Sequence, residues 1–431
     1  MTGAGTPVSP AAFAAAMARL GPFEPHPHVA VAWSGGGDST ALLALAREWA
    51  QERGGRVLAL HVDHGLRANS ADEARALAAR AARTGIDFEC LHWRGAKPAT
   101  GIMDAARVAR AHLLEAACAK AGIWHLLLGH HADDQRETAS MRAARGSGPD
   151  GLAGMSAVVE RTHVRLVRPL LSFAHADLLA TCRARGHDWI EDPSNRDPRY
   201  ARAALRNAGG APDVPLAGHA ASRIARERDL AEFLARTVAL DPAGFARVDL
   251  AALATASSEL ACAALARIVL TVGGGEYAPR SARVEATLVR LTGAAARAGT
   301  LGHCRLVPGR DGRLVVARET AGLAPPVELV DGTAARWDGR FDVRLMRSRS
   351  GLSIGALGAA GWAGLPRETR AATAKAVPPA ARASLPALRD LDGVVAVPHL
   401  FYGRMRYPLD TVEIRFRPRH ALAGPLFADG A

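Results

Sequence analysis

Lysine is nearly missing from this chain. Only three of its 54 basic residues are lysines (Lys97, Lys120 and Lys375), so arginine carries the formal charge of +12 and the pI near 10.4. A balance this basic points to a polyanionic partner, although in a chain crowded with alanine and glycine some of the arginine reflects coding bias. Cysteine is scarce as well. Cys90, Cys118, Cys182, Cys262 and Cys304 lie tens of residues apart with no C-x-x-C among them. That spacing excludes a zinc ribbon, an iron–sulfur cluster of the usual pattern and a dithiol redox centre, and leaves buried reduced thiols as the expectation. No apolar run reaches the roughly 18 residues of a membrane span, because charges such as Arg267 interrupt the best stretches. The N-terminus has no basic cluster ahead of an apolar core, and residues 11–20 read as an ordinary helix, so no membrane association and a cytoplasmic location are expected by default. There is no internal repeat. With 49% apolar and 22% charged residues in 431, the composition excludes wholesale disorder and allows two or three domains with their own cores.

From His28 to about Leu171, short apolar runs alternate with longer helical patterns, the signature of a parallel sheet with crossover helices. Strands are expected at 29–33, 56–62, 88–93, 124–129 and 164–171, and helices near 40–52, 71–84, 103–121 and 133–144. This is a doubly wound, mostly parallel α/β domain, whose ligands sit beyond the carboxyl ends of the strands. The Gly/Pro-rich break at 209–215 closes it, helical periodicity dominates 221–298, and a second break at 323–326 precedes short alternating segments such as 341–346 and 411–416. The expected division is an N-terminal helical extension (1–24), a catalytic α/β domain (25–212), a helical linker domain (213–322) and a small C-terminal α+β domain (323–431).

Directly after the first expected strand stands Ser34-Gly35-Gly36-Gly37-Asp38-Ser39-Thr40, followed by an apolar helix. Successive glycines let backbone N–H groups converge, and the positive helix end adds to the concavity, so phosphate is the natural guest. The lysine of a Walker A loop is absent. Ser39 and Thr40 add hydroxyl donors, and the Asp38 carboxylate beside phosphates makes sense with Mg2+ between them.

Three further constellations carry chemistry. At the end of the second strand, His61-Val62-Asp63-His64-Gly65 suits either contact with the nucleoside or a simple turn built on Asp63 and Gly65. After the fourth strand comes Gly129-His130-His131-Ala132-Asp133-Asp134-Gln135-Arg136-Glu137-Thr138. Here Asp133 is expected to cap the helix, while Asp134 and Glu137, three apart on one face, can grip a cation or take a proton from an amine. A metal site of His130, His131 and Asp134 is disfavoured, because adjacent histidines on extended backbone point to opposite sides. Upstream, Arg107 and Arg110 share a helix face and can meet an α-phosphate or an RNA backbone. Downstream, Arg145 and the arginine-dense stretch with Arg199, Tyr200, Arg202 and Arg206 suit RNA contacts.

The S-G-G-x-D-S string resembles the PP-loop of the ATP pyrophosphatase superfamily, with its adenine nucleotide alpha hydrolase-like fold. Together with 61–67, 106–110, 129–138, 145–155, 168–171 and 189–206, in family order over the first half of the chain, it resembles the tRNA(Ile)-lysidine synthetases. Ala111 and Ala203 stand where that family usually shows a tyrosine and an asparagine. The resemblance implies an AMP-forming ligase: ATP, with Mg2+, adenylates the C2 oxygen of the wobble cytidine in a tRNA(Ile) bearing a CAU anticodon, and L-lysine displaces AMP to give lysidine. It implies ATP contacts from Ser34, Gly35, Gly36, Gly37, Asp38, Ser39, Asp63 and His64, with Mg2+ at Asp38. Lysine falls to Asp134 and Glu137, the α-phosphate or RNA to Arg107, and tRNA to Arg110, Arg145, Arg199, Arg202 and Arg206. Oligomeric state stays open, with a homodimer among the options. The rival readings are a tRNA 2-thiolation enzyme of the same superfamily, for which clustered cysteines are lacking, and a noncatalytic RNA-binding protein, which would not need Asp38 and Ser39.

Overall fold

The computed structural model describes residues 5–66, 70–95, 97–98, 100–190, 215–293, 296–347 and 349–430. The chain forms two compact units, Met1–Ala225 with Pro425–Ala431, and Arg226–Gly424.

The first unit is built on a six-stranded sheet in the order β3-β2-β1-β4-β6-β5. Its strands are β1 (His28–Ala32), β2 (Arg56–Asp63), β3 (Asp87–His92), β4 (His125–Leu127), β5 (Val158–Glu160) and β6 (Arg165–Val167). All neighbours run parallel except β5, which pairs antiparallel with β6. The helices are α1 (Pro10–Arg19), α2 (Gly37–Gln51), α3 (Ser70–Thr84), α4 (Ile102–Ala121), α5 (Ala132–Ala144), α6 (Pro149–Leu152) and α7 (His175–Ala184). Strand β1 shows why the sheet is covered on both faces. Val29, Val31 and Trp33 enter one core with Leu42, Leu45 and Leu178, whereas Ala30 and Ala32 enter another with Leu114 and Cys118. Alternation along one strand thus feeds two layers. The chain leaves β1 toward β2 on one side, and β4 lies on the other, so the order reverses between β1 and β4, where such folds bind ligands.

Helix Leu216–Thr237 continues into the second unit. There the helical periodicity expected over 221–298 resolves into helices Leu250–Thr255, Ser258–Gly273 and Ser281–Thr292 packed on a five-stranded antiparallel sheet. That sheet includes Val238–Asp241 and Phe245–Asp249, whose short alternation was masked by the surrounding helical signal. The expected pair at 341–346 and 411–416 is present as Phe341–Leu345 antiparallel to Val412–Phe416. A buried cluster lies on each side of the Pro325-Pro326 break, and a third one crosses it. Phe245 and Ala317, before it, share a buried cluster with Leu357, Ala387 and Val397, after it.

Candidate active site

The loop leaving β1 is closed by its own serines. Ser39 Oγ accepts from Ser34 N–H at 3.2 Å and donates to the Gly36 carbonyl at 3.0 Å; its one proton is then used, so the 3.1 Å contact with Ser34 Oγ has Ser34 as donor. Thr40 Oγ1 accepts from Trp33 Nε1 at 3.1 Å, pinning the loop to the core. Gly35 takes φ +86°, the left-handed region in which glycine costs least. Gly36 caps α2 with no side-chain hydrogen bond, so the first-turn amides keep their need for an acceptor. Together these features give a preformed anion cradle.

Gly129, just after β4, is required for a close backbone approach. A Cβ there would lie 3.2 Å from the Ser39 nitrogen and 3.3 Å from its Cα. We expect Gly129→Ala to push on the loop backbone and weaken ATP binding about tenfold, roughly 1.4 kcal/mol, while leaving thermal unfolding little changed. Titration calorimetry beside a melting curve checks both.

The turn from β4 into α5 brings His131 against the loop. His131 Nε2 lies 3.6 Å from Asp38 Oδ2 and 3.5 Å from Asp134 Oδ2, and its Nδ1 lies 3.5 Å from Asp133 Oδ2. Burial works against its charge, but Asp133, Asp134 and Asp38 outweigh burial and raise its pKa above the ordinary histidine value. Asp133 does not cap α5 as the sequence suggested. The cap residue is His131, whose backbone N–H donates to Asp134 Oδ2 at 3.2 Å. Asp133 instead accepts the His175 N–H at 2.8 Å and pairs with Arg136. The adjacent His131 ring, 3.5 Å away, followed by the His175 N–H and Arg136, holds the Asp133 carboxyl far below the usual range. Asp134 and Glu137 are both buried, with 8% and 4% of their surface exposed, on the first two turns of α5.

His130 turns the other way, as extended backbone requires, and its Nδ1 lies 3.3 Å from Arg168 Nε. Arg168 donates to the Ser156 carbonyl at 2.7 Å, and burial, then Arg107 and Arg161, push its pKa down to about 10. Burial and then Arg107 likewise lower Arg110, whose charge in turn depresses His64 after burial. Arg107 therefore repels both Arg110 and Arg168, and an anion placed beside it would relieve that repulsion. Asp63 is engaged in its turn, accepting the Gly65 N–H at 2.8 Å and lying 3.4 Å from His92 Nδ1, the simple-turn reading of that segment. Arg145 caps the far end of α5 and is exposed. Arg199, Arg202 and Arg206 lie outside the described residues.

Two residues that sequence reasoning left without a role belong to this site. Arg168 directly follows β6, and His175 opens α7 with its Nδ1 2.7 Å from Asp38 Oδ1. The signal was the rule already applied to β1, β2 and β4: β6 lies beside β4, so its carboxyl end faces the same crevice.

Comparison with known proteins gives the family. Residues 11–209 match the family described as the PP-loop domain. A tRNA(Ile)-lysidine synthase of Mesorhizobium japonicum is 39% identical over 76% of this chain and 74% of its own. Proteins of that name from Ruegeria pomeroyi and Caulobacter vibrioides are 37% identical over 78% of this chain and 81% of theirs, and 34% identical over 87% of both. A solved U34-tRNA thiolase from Methanococcus maripaludis covers 46% of this chain and 72% of its own at 16% identity and a TM-score of 0.38. With an S-G-G-x-D-S loop at the switch point, a buried carboxylate pair beside it and relatives matched along most of their length, the chain belongs to the tRNA(Ile)-lysidine synthase family.

Proposed function

We propose that this protein ligates L-lysine to C2 of the wobble cytidine in a tRNA(Ile) bearing a CAU anticodon, with ATP converted to AMP and pyrophosphate. The supporting observation is that one ring, His131, stands between Asp38 of the phosphate loop and Asp134 of the carboxylate pair, at 3.6 and 3.5 Å. A nucleotide held by the loop and an amine held by Asp134 and Glu137 would then meet across that ring.

The cytosine C2 carbonyl is urea-like, a poor electrophile whose oxygen leaves badly. Attack of that oxygen on the α-phosphorus forms the C–O–P bond, breaks the α–β bridge and releases pyrophosphate. The loop amides after Gly36 would bind the departing phosphates, with the Ser34 hydroxyl holding the loop in shape through Ser39, and Arg107, Arg110 and Arg168 would face the α-phosphate or the RNA. The Asp38 carboxylate fits Mg2+ as one oxygen ligand among phosphate oxygens, and the ion would supply charge neutralisation on the polyphosphate. Lysine then attacks C2 and AMP leaves with the former carbonyl oxygen. The attacking ε-nitrogen must first lose a proton, and Asp134 and Glu137 would bind the ammonium and accept it. A wobble base lies in a single-stranded loop, so exposing it costs little unpairing.

The test is mass analysis of the wobble nucleoside after incubation with ATP, lysine and tRNA(Ile); a nucleoside unchanged in mass overturns the reading. Ser34→Ala and Asp38→Ala should each abolish pyrophosphate release, by 100-fold or more. A 2-thiolation activity is disfavoured by Cys90, Cys118, Cys182, Cys262 and Cys304, all free thiols, and burial raises the pKa of each, leaving no activated thiolate among them.

A further inference from the structure

Among the described residues, one group of side chains brings metal-ligating atoms together from three separate elements. Asp38 from the first turn of α2, His131 from the turn before α5 and His175 from the first turn of α7 offer one ligand atom each, all within 4.8 Å of one another. We infer that these three residues form a binding site for a borderline transition-metal dication of the Zn2+ or Co2+ type, distinct in preference from the Mg2+ that accompanies ATP.

The donor set carries the first part of the argument. Mg2+ prefers oxygen ligands, whereas two of the three donors here are imidazole nitrogens, which suit Zn2+, Co2+ or Ni2+. Spacing carries the second. His175 Nδ1 is 2.7 Å from Asp38 Oδ1 and His131 Nε2 is 3.6 Å from Asp38 Oδ2. A tetrahedral ion with bonds of about 2.0–2.1 Å sets its ligands roughly 3.3 Å apart, so small side-chain rotations suffice to close the site.

The supporting shell carries the third part. Zinc-ligating histidines commonly have their other ring nitrogen held by a carboxylate, which fixes tautomer and orientation. Asp133 stands in that place: its Oδ2 lies 3.5 Å from His131 Nδ1, a nitrogen that has no other partner among the described residues, and it accepts the His175 backbone N–H at 2.8 Å. One carboxylate therefore anchors the backbone of one ligand and is the neighbour toward which the ring of the other can turn its free nitrogen. The two imidazoles lie side by side, ring centres 5.2 Å apart and 32° between planes. The His175 side chain is about half exposed, which gives an entry path and leaves a fourth position to water or substrate.

Because Asp38 would serve both ions, a transition-metal dication held by the histidines competes with Mg2+·ATP. That consequence rests on the proposed nucleotide site, whereas metal binding itself does not.

The probe is Co2+ added to chelator-stripped full-length protein without nucleotide, followed by ligand-field absorption in the visible range. We expect one Co2+ per chain with a band typical of four or five ligands. His175→Gln should weaken binding tenfold or more, and Asp133→Asn should weaken it as well, by removing the carboxylate beside both histidines. Millimolar Mg2+ should not displace Co2+; Mg2+ with a nonhydrolysable ATP analogue should. No band, a band indifferent to His175→Gln, or displacement by Mg2+ alone overturns the inference. His175 is half exposed, so its variant is expected to keep the fold, which circular dichroism checks. If the metal-free protein fails to bind the ATP analogue, the nucleotide reading falls, while the Co2+ titration still decides the metal site.

Discussion

Asp134→Asn should leave pyrophosphate release measurable and reduce lysine transfer by a factor on the order of 100 to 10,000, the range for loss of a positioned proton acceptor. The size follows from the nucleophile. An ε-ammonium of ordinary pKa near 10.4 costs about 4.6 kcal/mol to deprotonate at pH 7, at roughly 1.36 kcal/mol per unit. A buried carboxylate recovers much of that cost by holding the cation and taking its proton. Asparagine keeps the shape and can still accept the His131 backbone N–H that Asp134 Oδ2 accepts at 3.2 Å, so the start of α5 should survive. It removes only the charge. Single-turnover measurement with labelled ATP and, separately, labelled lysine divides the two steps. Equal loss of both would mean that Asp134 acts through His131 on the phosphate loop and not on the amine. Glu137→Gln, buried one turn further on, should give the same split and serves as the second reading.

Much of this site was legible because its parts are local in sequence. The loop at 34–40 and the string at 129–138 each hold their residues within ten positions, and each follows a short apolar strand. Strand ends were placed within a residue or two for β1 and β2 because Val, Leu and Ala run there almost without interruption, and for β3 because Phe88, Cys90 and Leu91 form a short apolar run between polar ends. What was not legible was nonlocal. His175 reaches Asp38 across 137 positions, and nothing around Phe173-Ala174-His175 distinguishes a ligand from a surface histidine. Asp133 had the right residue type for a helix cap, yet His131 took the cap because Asp133 was drawn to the His175 N–H and to Arg136. A tertiary contact overrode a local preference. The same holds for Val238–Asp241 and Phe245–Asp249, which become strands through pairing with each other and with Arg313–Arg318.

The second large effect is expected far from the chemistry, at Asp338. Two buried guanidiniums depend on this one carboxylate: Arg340 Nε donates to Oδ2 at 2.8 Å, and Arg318 donates through Nε at 3.1 Å and Nη2 at 3.2 Å. The exposed fractions of the three side chains are 0%, 5% and 4% for Arg340, Arg318 and Asp338. Asp338 also accepts the Ala324 N–H at 3.0 Å, and it holds φ +50°, which asparagine tolerates nearly as well as aspartate. Asp338→Asn therefore removes the charge while sparing the backbone. It leaves two buried cations facing each other with only carbonyls around them, such as Gly244 and Val272 for Arg340. Removing one partner of a buried ion pair costs about 3–5 kcal/mol, a large share of the roughly 5–15 kcal/mol by which a domain is stable. Urea unfolding should shift to a clearly lower midpoint, and hydrogen exchange should accelerate first in Arg313–Arg318 and Phe341–Leu345, the strands beside the two arginines. Adding Arg340→Met to Asp338→Asn should restore part of the loss, since it removes one of the two stranded charges. If the single variant unfolds like the parent, the arginines are hydrated by solvent entering the second unit, and the carboxylate is not what holds that core together.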